Sequence, residues 1–210
     1  AAHGRGIVFT SNTLTDFTVA EAGVADIEKG ELVAFGTLEQ VVTEPRGSLP
    51  AALSGVNVYS GLARKGWLSI GHSAVKARTE LDGKVFVTLG WRSALLSLDE
   101  HDPAFTSATV FEAIVIGLRD RGSCLQAKLS PVDTEMGLAL DVDLADLAGV
   151  RRAGTAGADT DGDQSGTVGG FGLLHPSLGS SIAELRANVK VGTHVFVEVD
   201  TSALHAYSVE

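Results

Sequence analysis

The sequence predicts an all-β fold, a β-sandwich or barrel with long loops and at most one short helix. Three observations predict it. Period-two alternation of apolar and polar residues recurs along the chain, the pattern of a strand with one buried face. Glycine accounts for 25 of the 210 residues and is accompanied by many Thr and Ser, which suits short strands joined by tight turns. Turn signals such as Leu81-Asp82-Gly83-Lys84 fall between the alternating stretches, as antiparallel neighbours require.

Taken in order, Ile7 to Thr10, Phe17 to Ala20, Leu32 to Phe35 and Val56 to Tyr59 read as short strands. Thr43 to Leu53, with Pro45, Gly47 and Pro50, reads as a turn-rich loop. In Val85 to Leu89, Val85, Val87 and Leu89 share one face; in Thr109 to Leu118, Val110, Ile114, Ile116 and Leu118 share a face with Glu112. Cys124 to Leu129 is a further strand. Leu140 to Val150 admits both periods, and the strand is preferred up to Leu144, with Leu138, Leu140, Val142 and Leu144 facing one way. Gly154 to Gly172 holds seven Gly and three Asp with almost no apolar residue, and reads as a mobile loop over 154–172. Ser181-Ile182-Ala183-Glu184 has the form of a capping box and opens one helix to about Val189. In Thr193 to Val199, Val195, Val197 and Val199 point inward, with His194, Phe196 and Glu198 on the opposite face. The whole is expected to be one β-rich domain over 1–210, jelly-roll-like, with an N-terminal arm over 1–60.

Composition narrows the function classes. Hydrophobic residues make up 44% and charged residues 20%, the mix of ordinary globular material. No stretch approaches the ~20 continuous apolar residues of a membrane span. Residues 1–6 lack a hydrophobic signal segment and Met136 is the only methionine, so the expectation is that the initiator methionine, or something longer, was removed or lies outside this sequence. Cys124 stands alone, which leaves no internal disulfide and no Cys-based zinc site. A net charge of −10, with Arg64-Lys65 and Arg151-Arg152 as isolated basic pairs, argues against tight nucleic-acid binding.

Two constellations carry chemistry on paper. His72, Asp99 and Ser165 occur in the order of a chymotrypsin-like triad. His72 would take the Ser165 proton while Asp99 orients the imidazole. Gln164 precedes the serine where that family has an acid, and alternation puts His72 on the face of Leu68, Ile70 and Ala74, as a half-buried strand residue. Asp159, Asp161 and Asp163 resemble the opening of a calcium loop, but Gln164 and Gly170 stand where an EF-hand needs glycine and glutamate. A solvated acidic loop is preferred. His3, His72, His101, His175, His194 and His205 lack the spacing of a zinc set, and neither a phosphate loop nor a nucleophile elbow is present. No catalytic role, metal or cofactor is expected.

The segment Gly66-Trp67-Leu68-Ser69-Ile70-Gly71-His72-Ser73 resembles the G-W-x-x-x-G-H-[ST] segment of major tail (tube) proteins of long-tailed actinobacterial phages. Glu80 and Asp82, Leu89-Gly90-Trp91-Arg92, a strand ending near Leu118, Asp120 and Leu125 follow in similar order, so the resemblance covers roughly Gly66 to Leu125. It implies a β-sandwich subunit forming hexameric rings that stack into a hollow tube around a DNA conduit. Asp141, Asp143 and Asp146 would suit a lumen that repels phosphate, and plain solubility explains each of them equally well. Two further resemblances remain open. Gly23-Val24-Ala25-Asp26-Ile27-Glu28-Lys29-Gly30-Glu31-Leu32-Val33 resembles the D-I-x-x-G-x-x-V turn of capsid-decorating β-domains, and Val195 to Asp200 resembles the last strand of viral jelly-roll coat proteins. Gly66 to Val150 more faintly resembles plant-virus movement proteins, with Gly90-Trp91 where an acid is expected.

The expected function is thus that of a virion structural protein, assembled in the host cytoplasm, whose partners are itself and other virion proteins. A tail tube stands ahead of a coat or decoration protein, with a serine hydrolase last. Thr43 to Leu53 and Gly154 to Gly172 are the segments expected to carry assembly.

Overall fold

The computed structural model describes residues 6–20, 23–100, 103–121, 124–145 and 187–209. Strands predominate and the sheets curl into half-barrels, so the all-β class expected from alternation is the one the chain adopts. In chain order the elements are α1 (Leu14–Ala20), β1 (Val24–Glu28), β2 (Glu31–Gly36), α2 (Leu38–Thr43), α3 (Ser48–Ser54), β3 (Val56–Arg64), β4 (Trp67–Ile70), β5 (Lys76–Arg78) and β6 (Gly83–Gly90). They continue with β7 (Ala94–Ser97), β8 (Ala108–Asp120), β9 (Cys124–Pro131), β10 (Leu140–Ala145), β11 (His194–Asp200), a 3-10 turn at Thr201–Ala203 and β12 (His205–Ser208). Two compact units result. One gathers the described residues up to His72, with Lys76–Trp91 and those from Ala203 onward; the other gathers Ser73–Val75 and Arg92–Ser202.

The first unit is built on an antiparallel sheet ordered β12-β6-β3-β4-β5. Its buried face is the one alternation picks out: Val85, Val87 and Leu89 are at most 1% exposed, joined by Ala63, Leu68 and Ile70. Against the expectation of at most one short helix, and that one near residue 181, the described residues of this unit form three. Phe17 to Ala20 belongs to α1, while residues 7–10 are irregular and exposed. The Thr43 to Leu53 segment is largely helical. Its Pro50 sits in the first turn of α3, where a proline removes no helical hydrogen bond, and Gly55 ends the helix at φ 71. Thr37 and Gln40 form a reciprocal capping box that starts α2, with Gln40 N donating to Thr37 Oγ1 at 3.2 Å and Thr37 N to Gln40 Oε1 at 2.9 Å. Pro50 and Ala51 are buried, so this segment is folded against its own unit. Of the helix expected at 181–189, residues 187–188 are helical and 181–186 lie outside the described residues.

The second unit is an antiparallel sheet ordered β10-β9-β8-β11-β7. Val195, Val197 and Val199 are fully buried, and Leu138, Leu140, Val142 and Leu144 share the buried side of the β10 region as alternation predicts. In β8 the buried residues are Phe111, Ala113 and Val115, on the face opposite to Val110, Glu112 and Ile114. A bulge between Val115 and Gly117 leaves Ile116 unpaired in the ladder and 49% exposed, so the period-two reading of Ile114-Ile116-Leu118 as one face does not survive it.

Candidate assembly surface

The β1–β2 hairpin turns through Lys29 and Gly30, both with positive φ (50 and 86), between the paired residues Glu28 and Glu31. That is a two-residue turn whose twist matches the strands, and it needs glycine at its second position. The two faces of the hairpin differ sharply. The inner face carries Val24, Asp26 and Glu28, with the two carboxylates against the start of α3. Glu28 Oε1 accepts from the Ser48 amide and from Ser48 Oγ at 2.5 Å, which holds its carboxyl below the usual range. Asp26 is 6% exposed; burial first, and then the charge of Glu28, push its carboxyl up. Gly47 packs closely beside them, and a Cβ there would force the Asp26 carboxylate to shift. One face of the hairpin is therefore pinned to the start of α3.

The outer face is apolar and open. Ala25 lies opposite Phe35 and Ile27 opposite Leu32, and Ile27, Leu32 and Phe35 are 64%, 63% and 74% exposed. Together these three side chains leave on the order of 400 Å² of apolar surface in water, comparable to the largest patch on a typical monomer. Phe17 of α1 and Phe35 line one open groove with Leu38, and Phe9 lies with its ring 6.2 Å from that of Phe17, so the apolar surface continues into the N-terminal segment. Period-two reading could not have found this face. Leu32 and Phe35 are three apart and would alternate to opposite sides, but the register shift that follows Asp26 leaves Val33 unpaired and returns both to one side.

The residues singled out for chemistry stand elsewhere. His72 is exposed in the turn after β4, beside Gly71 at φ 55, rather than half-buried on a strand. Asp99 follows β7, where its amide donates to Ser97 Oγ at 3.2 Å. Ser165 lies outside the described residues, as do Asp159, Asp161 and Asp163 and the whole 154–172 loop. Among the described residues no group of three His, Cys, Asp or Glu is placed to hold a metal, and no helix is long and apolar enough to cross a membrane. Asp141 and Asp143 are half-buried on β10. Asp141 pairs in register with Lys128, and Asp143 Oδ2 lies 4.0 Å from Arg92 Nε, so each has a cation nearby; Asp146 lies outside the described residues.

Fold and surface together define a protein of curled antiparallel sheets that presents an apolar hairpin to its surroundings. No protein-family model matches the chain, and no curated protein matches it significantly.

Proposed function

We propose that this chain is a structural subunit that works by self-assembly in a virion, as a tail-tube subunit stacking in rings around a DNA conduit. The observation that carries the reading is the outward apolar face of the β1–β2 hairpin, held in place by Glu28 and Ser48 on its other side. A surface of that size is costly to leave in water, and its rigid backing suits a repeated contact. The resemblance over Gly66 to Leu125 supports the tail tube in particular. The partners are then other copies of the chain and neighbouring virion proteins, met in the host cytoplasm. The Asp26–Val33 turn favours one second reading, a capsid-decoration protein, for which the same face would dock on a shell.

The test is sedimentation of the wild type and of the Ile27→Ser, Phe35→Ser double variant. Each substitution removes a large apolar side chain from the contact, so self-association is expected to weaken by about 100-fold or more while the fold persists. A wild type that remains monomeric at high micromolar concentration, without capsids present, would remove the self-assembly reading.

A further inference from the structure

We propose that the open end of the outer face of the first unit's sheet is a basic platform that docks on an acidic surface of a second copy of this chain. The proposal rests on the self-assembly reading and names a second contact within it. The strand registers place Arg64, Trp67 and Arg78 side by side across β3, β4 and β5. The next row on the same face runs from Lys84 through Leu62 and Ser69 to Lys76. Arg64, Lys76, Arg78 and Lys84 are all exposed, and neither row contains an acid. The Arg78 guanidinium stacks over the Trp67 ring, 3.6 Å from its centroid, which fixes the direction of that charge before any partner arrives. At the other end of the face Tyr207 Oη donates to the Pro45 carbonyl, and Arg46 lies over the Phe86 ring at 5.8 Å. These contacts cover part of that end, and the basic end is left open.

Charge identifies the occupant. Five of the sixteen Lys and Arg residues lie between Arg64 and Lys84, where the only acids are Glu80 and Asp82. Elsewhere in the chain eleven cations meet twenty-four acids, a balance of −13. Outside the platform a second copy is therefore acidic on balance, and the platform is the complement of that charge. A contact between two different surfaces of identical chains is heterologous and propagates into a ring or a filament, as the assembly reading needs. A nucleic acid fits less well. The chain as a whole repels phosphate, and the one exposed indole of the platform already carries Arg78 across its ring rather than an open stacking face.

The experiment is sedimentation velocity on the full chain between about 0.05 M and about 0.5 M salt, which shortens the screening length roughly threefold. The wild type is compared with the Arg64→Glu, Lys76→Glu, Lys84→Glu variant, which leaves the Arg78–Trp67 stack in place. Wild-type association is expected to weaken about tenfold with salt and to be lost in the variant at low salt. Thermal unfolding checks that the variant is folded, and the milder Lys76→Gln, Lys84→Gln pair is expected to give an intermediate loss. If the wild type assembles and the folded variants assemble equally well, the platform is not an interface, although self-assembly stands. If the wild type stays monomeric throughout, the assembly reading itself fails and takes this proposal with it. Binding of a short single-stranded oligonucleotide by the wild type, lost in the variant while self-association is retained, would make the occupant a nucleic acid and overturn the assignment.

Discussion

At the scale of single residues, Tyr207 shows how a buried polar group ties distant parts of the first unit together. Its hydroxyl donates to the carbonyl of Pro45, and its ring stacks near Phe86 at 6.0 Å. Burial, with a smaller contribution from Glu44, pushes its pKa from 10.0 up to about 12, against the pull of Arg46. The folded state therefore holds this proton more tightly than the unfolded chain does. The stabilisation is complete below pH 10 and is lost as pH rises from about 10 to about 12. Tyr207→Phe is expected to cost about 1 kcal/mol at pH 8, where the hydrogen bond to Pro45 is lost. Urea unfolding at a series of pH values should show the gap between wild type and variant closing across that alkaline window; a constant gap would contradict the account. His72, the residue most suggestive of catalysis in the sequence, has the opposite character: it is an exposed turn residue, and its environment gives it no such structural duty.

At the scale of elements, β11 illustrates both what alternation reveals and what it hides. Val195, Val197 and Val199 form the buried face as their spacing predicts, but Glu198 on the other face is also fully buried. Its Oε1 accepts from the Phe105 amide at 2.6 Å, so the carboxylate anchors the segment that precedes β8. Glu198→Ala removes that acceptor from the part-buried Phe105 amide. We expect a loss of about 3 kcal/mol in denaturant unfolding, with Glu198→Gln costing less because it keeps an acceptor oxygen. A neutral Glu198→Ala would show that the carboxylate does not hold this segment. The longer strands β6, β8, β9, β10 and β11 were legible because each buries one face and so writes its period into the chain. By contrast β5, β7 and β12, three or four residues each, are too short to show a period and are not among the strands read from the sequence. Nor were the helices legible. Leu38–Thr43 and Ser48–Ser54 are six and seven residues long, too short to build up a 3.6-residue pattern, and Pro45, Gly47 and Pro50 look like loop punctuation when read alone. The Thr37–Gln40 capping box was the available signal for α2. The candidate surface was half legible: Lys29-Gly30 marks its turn, whereas its outward face depends on a one-residue register shift that no local pattern announces. The basic platform was hidden for a related reason. Arg64, Arg78 and Lys84 are spread over twenty residues and become neighbours only through the pairing of β3 with β4 and β6, and of β4 with β5.

At the scale of the whole molecule, two features of opposite kind are turned outward: an apolar hairpin face and a basic sheet face on an otherwise acidic chain. On the assembly proposal the first would supply desolvation and the second orientation to a repeated heterologous contact. On this account assembly is geometric, with no bond broken, and its products are set by whether successive contacts close on themselves. The most direct measurement is negative-stain electron microscopy of the purified wild type over a range of concentration and salt. Rings or tubes that become fewer as salt is raised are the predicted result. Small featureless particles at every concentration and salt would contradict the claim that this chain functions by assembling with itself.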